Sequence, residues 1–83
     1  MTVKARDLRE LLTSDLPDPN LVLIEGRLEI VQVDDLDTDR FRGAMLLLSR
    51  AELLARGVDE NSPDQELERQ AAAVSTAVDE LGG

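Results

Sequence analysis

Hydrophobic residues follow two different periods along this chain, and the changes of period predict its secondary structure. In TVKARDLRELLTS the apolar residues recur three or four positions apart, which predicts an amphipathic helix that Thr2 can cap. Pro17, Pro19 and Asn20 follow, and they favour a turn because proline restricts the residue before it. The chain is therefore expected to reverse direction before its next apolar run.

The stretch LVLIEGRLEIVQV predicts a β-hairpin with a two-residue turn at Glu25 and Gly26. This turn pairs Ile24 with Arg27 and fixes which side chains share a face. One face is fully apolar and one is mixed: the first carries Leu21, Leu23, Leu28 and Ile30, and the second carries Val22, Ile24 and Val31 with Arg27 and Glu29. Because one helix cannot cover both faces, the mixed face is predicted to be half-covered by the chain or to meet a partner or a second copy.

The apolar run GAMLLLS predicts a third strand that leads directly into a short helix. Ser49 is expected to cap this helix, because Glu52 follows at the spacing of a capping box. Gly57 is expected to end it after about two turns. Residues 57–62 are then a candidate hinge before the last element.

The C-terminal stretch predicts a longer helix, with Ser62 as its cap, Pro63 at its first position, Gln65 three residues after the cap and Gly82 as its stop. Its apolar residues have the alternating four and three spacing of a coiled-coil seam, and they are Leu67, Ala71, Val74, Val78 and Leu81. The seam has two interpretations. It docks on the chain's own sheet, or it binds a partner or a second copy.

These elements predict an α+β fold in a single small domain over residues 1–83. The expected order is an N-terminal helix, a small antiparallel sheet of about three strands, a short helix and a longer acidic C-terminal helix. No apolar run has the length that spans a bilayer, and MTVKARDL lacks the apolar core of a signal peptide. A cytoplasmic protein without a membrane partner is therefore expected.

Several residue types that catalysis and metal binding use most are missing. The chain has no Cys and no His, which excludes thiolate nucleophiles and removes the commonest general base and transition-metal ligand. It has no Trp or Tyr and one Phe, so it lacks the usual stacking platform for single-stranded nucleic acid. We expect no enzyme activity, no catalytic residues, no cofactor and no metal.

Charge indicates the kind of partner. Eighteen Asp and Glu oppose nine Lys and Arg, and the net charge of −9 disfavours nucleic acid and favours a basic protein. The C-terminal helix is the first candidate surface, because its carboxylates can imitate the phosphates of a nucleic acid; a plain solvated helix face is the alternative. The candidate partner-binding residues there are Asp64, Glu66, Glu68, Asp79 and Glu80, with the apolar Leu67, Val74 and Val78.

The stretch VDDLDTDRF, residues 33–41, concentrates aspartates. Asp35, Asp37 and Asp39 have the alternating spacing of a calcium loop, but an EF-hand that begins at Asp35 needs glycine and an acid at later positions where this chain has arginine and leucine. The stretch is therefore predicted to be an acidic loop between strands. Contact of these three aspartates with a partner and weak binding of a divalent cation are the alternatives.

Two resemblances bear on function. The opening MTVKARDLRELLTSDLPDPNLVLIEG resembles the start of many small proteins of bacteriophages and mobile elements, with Met-Thr-Val, a leucine-spaced helix, Leu-Pro-Asp and a strand. LVLIEGRLEIV and AMLLLSRAELLARG resemble parts of Phd-type antitoxins, which have an N-terminal helix, a hairpin around a glycine, a strand running into a helix and an acidic helix that covers a toxin. The aspartates of residues 34–39 depart from that pattern.

The expected function is that of a non-catalytic, acidic, protein-binding regulator or inhibitor, of the phage anti-defence or antitoxin kind, which occludes a basic surface of its partner. A homodimer is also expected as an option. The alternatives are a DNA-binding antitoxin-like repressor that uses Lys4, Arg6 and Arg9, a small structural or assembly protein, and a weak divalent-cation binder.

Overall fold

A three-stranded antiparallel sheet carries two helices on one face and a short acidic segment on the other. The computed structural model describes residues 3–82. In chain order its elements are α1 (Ala5–Thr13), β1 (Pro19–Ile24), β2 (Arg27–Gln32), two 3₁₀ turns (Val33–Asp37 and Asp39–Phe41), β3 (Met45–Ser49), α2 (Arg50–Ala55) and α3 (Asp64–Gly82). β1 lies between β2 and β3. The predicted α+β class and order of elements are confirmed.

The hairpin of β1 and β2 has the predicted turn and register. Glu25 and Gly26 have φ angles of 50° and 79°, and two positive φ values are what a type I′ turn requires. Ile24 pairs with Arg27, and the pairing continues along both strands in the predicted register. The local twist of this turn matches the twist of the strands, so the hairpin needs no bulge.

The apolar face of the hairpin lies under α1 and α3. Leu8 of α1, Leu21 of β1, Leu53 of α2 and Leu67 of α3 are all almost fully buried in one core. Burying side chains of this size contributes about 1.5–3 kcal/mol each. Four residues of the predicted seam dock on the sheet and on α1, and they are Leu67, Ala71, Val74 and Val78; the fifth, Leu81, is exposed.

The mixed face of the hairpin is covered by the chain itself. Residues 33–44, which we call the acidic segment, turn back beneath β1 and β2, and their Phe41 packs against Val22, Ile24 and Val31. All four of these side chains are buried. Of the two alternatives for this face, cover by the chain itself is the one observed, because the acidic segment contributes apolar side chains that bury it.

The helix ends confirm some predicted caps and correct another. The predicted cap of α1, Thr2, lies outside the described residues. Ser49 Oγ accepts a hydrogen bond from the Glu52 amide (3.1 Å) at the start of α2, as predicted. Gly57 follows α2 with a φ of 81°, the left-handed conformation that glycine adopts most easily after a helix.

The start of α3 differs from the prediction. The helix begins at Asp64, and the Pro63 carbonyl oxygen accepts from the Leu67 amide (3.2 Å). Ser62 Oγ instead accepts from the Asp59 amide (2.9 Å), so it stabilises the turn before the helix.

No helix within residues 3–82 has both the length and the apolar character that crossing a bilayer requires.

Candidate partner-binding surfaces

Two carboxylates of α3, Asp64 and Glu66, contact nearby arginine or glutamine side chains. Asp64 forms an ion pair with Arg9 of α1 (2.5 Å). Glu66 accepts from Arg69 (2.6 and 2.7 Å) and from Gln70 (3.2 Å). The hydrogen bonds from Arg69 hold the pKa of the Glu66 carboxyl below its ordinary value, and the one from Gln70 lowers it further. These two acids are therefore less available to a partner than the sequence indicates.

The remaining acids of α3 are exposed at both halves of the helix. Glu68 lies one turn after the start, and Asp79 and Glu80 lie in the last turn. The last turn contains no basic residue. Because the carbonyl end of a helix is already partly negative, carboxylates there raise the local negative potential and attract a cation.

The apolar residues predicted to touch a partner on α3 are core residues. Leu67, Val74 and Val78 are buried against the sheet and α1. A partner that meets this helix would contact its exposed carboxylates and its small exposed residues. The candidate residues on α3 are thereby narrowed to Glu68 and Glu80, because Asp79 already interacts with another group of the protein.

The acidic segment is folded into two 3₁₀ turns rather than a metal-binding loop. The Thr38 hydroxyl donates to the Asp35 carbonyl oxygen (2.7 Å), and its amide donates to the same oxygen (3.1 Å). Asp39 forms an ion pair with Arg42 (2.7 Å). Asp37 is exposed. Within residues 3–82 the structure contains no group of three acids placed to hold a metal ion.

The basic residues of α1 do not form one free surface. Arg9 donates to the carbonyl oxygens of Glu60 (3.1 Å) and Ser62 (3.2 Å) in addition to its ion pair with Asp64. These contacts tie α1 to residues 60–64, which include the end of the candidate hinge at residues 57–62. Lys4 and Arg6 are exposed. Of the three bases predicted to touch DNA, one is therefore occupied by the chain itself.

One surface was missed by the sequence analysis. Met45 and Leu46 of β3 and Leu81 of α3 are 38%, 53% and 75% exposed. They line a groove of about 210 Å³, together with Arg56 and the small residues Ala73 and Ala77. We call these six residues the β3 groove. The run of three leucines in β3 was the available signal, because side chains alternate across a strand and three in a row cannot all be buried on one face.

Comparison of the chain with family models, with curated proteins and with solved structures finds no match. The resemblances to phage proteins and to Phd-type antitoxins therefore remain predictions.

Proposed function

We propose that this protein is a non-catalytic regulator or inhibitor that binds a basic surface of a partner protein through its carboxylates. The supporting observation is that most arginines of the chain already contact other residues of the same chain. Five of them pair with carboxylates of the same chain, and they are Arg9, Arg27, Arg40, Arg42 and Arg69. Two more, Arg50 and Arg56, donate to the Ser14 carbonyl oxygen and to the Gln70 side chain. The acids outnumber these bases, so a surplus of carboxylates faces any partner.

The candidate partner-binding carboxylates that are not among these ion pairs lie on well-packed elements. Glu68 and Glu80 project from α3, whose opposite side is buried in the core. Asp37 lies in the acidic segment, which Phe41 anchors to the sheet. Charges that are already positioned lose less conformational entropy on binding than charges on a flexible tail. This favours recognition of a specific basic surface over general attraction to cations.

An antitoxin or anti-defence role is the form of this function that the resemblance to Phd-type antitoxins and phage proteins favours. In such a role the acidic surface would cover a basic groove that the partner uses for nucleic acid. Electrostatic complementarity of this kind accelerates association and makes affinity depend on salt.

The experiment compares two double variants that each remove two negative charges. Glu68→Gln with Glu80→Gln neutralises exposed acids of α3. Glu25→Gln with Asp39→Asn neutralises acids already paired with Arg27 and Arg42. Binding of a lysine- and arginine-rich helical peptide is measured by isothermal titration calorimetry and by amide chemical shifts.

We expect the α3 variant to bind the peptide about tenfold more weakly, and the matched control to bind about as tightly as the wild type. Wild-type affinity should fall steeply between about 50 mM and about 500 mM salt. Equal weakening by both variants, with shifts spread over every acidic residue, would reduce the binding to nonspecific attraction and refute the proposal.

A further inference from the structure

The acidic segment is attached to the sheet mainly by one aromatic ring. Phe41 is 7% exposed and packs against three buried aliphatic side chains of β1 and β2, whereas Leu36 and Ala44 are only partly buried. The Phe41 and Ala44 amides donate to the carbonyl oxygens of Thr38 (3.2 Å) and Phe41 (3.0 Å). These hydrogen bonds fold the segment on itself and do not attach it to the sheet, so its attachment depends on the ring.

The contact between the acidic segment and β2 is incompletely packed. A cleft of about 270 Å³ lies between them, and its lining includes Glu29, Val31, Asp35 and Arg40. Arg40 (3.6 Å) and Arg27 (3.5 Å) both approach Oε1 of Glu29, while Glu29 Oε2 is buried without a hydrogen-bond partner among residues 3–82. Gaps between surfaces and unpaired buried acceptors both destabilise the state that contains them. The covered state of this face is therefore held weakly.

Repulsion between two aspartates also opposes the covered state. Asp34 and Asp37 are exposed and lie three residues apart in the first 3₁₀ turn. Side chains at this spacing eclipse in a 3₁₀ helix, and like charges on one side of a helical turn destabilise it. The nearby Arg40 and Arg42 form ion pairs with other carboxylates. Because an extended chain places residues farther apart, detachment of the segment would relieve this repulsion.

The rest of the fold has support of its own. β1 pairs with β2 and with β3 through ladders that do not include the acidic segment. The opposite face of the sheet is buried under α1 and α3 by a larger set of leucine and valine side chains. The segment connects the end of β2 to the start of β3, so it can leave the mixed face without separating a pair of strands.

We propose that the acidic segment is a releasable cover, which detaches from the sheet while the rest of the fold stays intact. The covered state is the major one, and the repulsion between Asp34 and Asp37 sets how often the cover opens. Opening exposes the apolar side chains of the mixed face. The segment thus links the charge around two aspartates to the exposure of an apolar surface, and screening by cations closes it.

An introduced thiol can report this opening, because the chain contains no cysteine. Val31→Cys places a thiol under the acidic segment, and Val74→Cys places one in the core under α3. Val31 is 4% exposed and Val74 is 8% exposed, so burial alone predicts slower labelling at position 31. A buried thiol reacts only when it becomes exposed, and its labelling rate then reports the population of the open state.

The reagent is iodoacetamide, which is neutral and is not repelled by the aspartates. Labelling is followed by mass spectrometry, and each rate is divided by that of the same variant unfolded in urea. We expect the thiol at position 31 to react about 100-fold faster than the thiol at position 74. Raising NaCl from about 20 mM to about 500 mM should slow labelling at position 31 about twofold.

Two double variants in the Val31→Cys background test the role of the aspartates. Asp34→Asn with Asp37→Asn should slow labelling about twofold at low salt and remove most of its salt dependence. Glu68→Gln with Glu80→Gln removes the same net charge from α3 and should leave the labelling rate unchanged.

Three outcomes would overturn the proposal. Equal labelling at positions 31 and 74 would mean that the segment opens only when the whole protein unfolds. No slowing by the aspartate variant, or equal slowing by both double variants, would remove the role of Asp34 and Asp37. If circular dichroism shows that Val31→Cys does not fold, Val22→Cys supplies a second thiol under the same segment, at a position that is 0% exposed.

Discussion

The two faces of the sheet are covered in different ways. On one face, α1 and α3 bury a continuous set of leucine and valine side chains. On the other, the most aspartate-rich part of the chain covers the sheet with Phe41, helped by Leu36 and Ala44. The difference shows that a few apolar side chains are enough to place a segment, even where charged residues outnumber them, because the aspartates can stay in water while the ring is buried.

Loss of packing on the helical face of the sheet should lower the free energy of unfolding more than loss of packing on the other face. Leu67 is fully buried between α3 and the rest of the core, so Leu67→Ala leaves a cavity and should lower the free energy of unfolding by about 2–5 kcal/mol. Urea unfolding followed by circular dichroism measures this. Leu81→Ala on the same helix is the control, and its effect should stay within about 0.5 kcal/mol because Leu81 is exposed.

Replacing Phe41 tests the other cover. Phe41→Ala should lower the free energy of unfolding by about 2 kcal/mol, less than Leu67→Ala, because a surface turn can collapse partly into the space that the ring leaves. The variant should also bind a hydrophobic dye, since Val22 and Ile24 become accessible. A loss as large as that of Leu67→Ala, without dye binding, would mean that both faces are parts of one equally packed core.

The contacts of Arg9 connect α1 to the turn before α3 and to the first residue of α3. Arg9→Ala removes three hydrogen bonds to residues 60–64 and should lower the free energy of unfolding by about 1 kcal/mol. Amide hydrogen exchange should become faster at residues 59–64 and remain slow in β1. Arg6→Ala, an exposed residue of the same helix, is the control; if it has an equal effect, the loss reflects charge or helix propensity and not these contacts.

The ion pairs on the exposed side of α3 should contribute least to the stability of the protein. Their contribution can be measured as a change of stability with pH. Because the pKa of Glu66 is lowered by folding, its ionised form stabilises the protein above the pKa it has in the unfolded chain, and this stabilisation disappears as pH falls through its folded pKa. Glu66→Gln should therefore lower Tm slightly at pH 7 and not at all at low pH. In an Arg69→Gln background the pH 7 difference should be smaller, because Arg69 is the main cause of the shift.

Local features of the fold follow from the sequence, and the remote contacts do not. The turn at Glu25 and Gly26 and the cap at Ser49 depend on residues close together in the chain, and both are correctly predicted. The sequence around Phe41 does not indicate which face of the sheet it covers, because the residues that it contacts lie in strands earlier in the chain. The apolar residues of α3 indicate a buried seam, but their spacing does not specify which surface buries them.

The candidate surfaces show the same limit. Acidity and the positions of the carboxylates can be read directly from the sequence. Whether a carboxylate is free depends on geometry, as with Asp64, which meets an arginine from the opposite end of the chain. The β3 groove likewise exists because β3 and the last turns of α3 become neighbours only in the folded protein.

The central position of β1 has a consequence for the order in which the sheet assembles. β2 joins β1 through a two-residue turn, and hairpins of this kind form within about 1–10 μs. β3 reaches β1 only after the acidic segment has closed into a loop, which costs entropy and brings its aspartates together. Completion of the sheet is therefore expected to be the slower event, and salt, by screening the aspartates, should accelerate refolding.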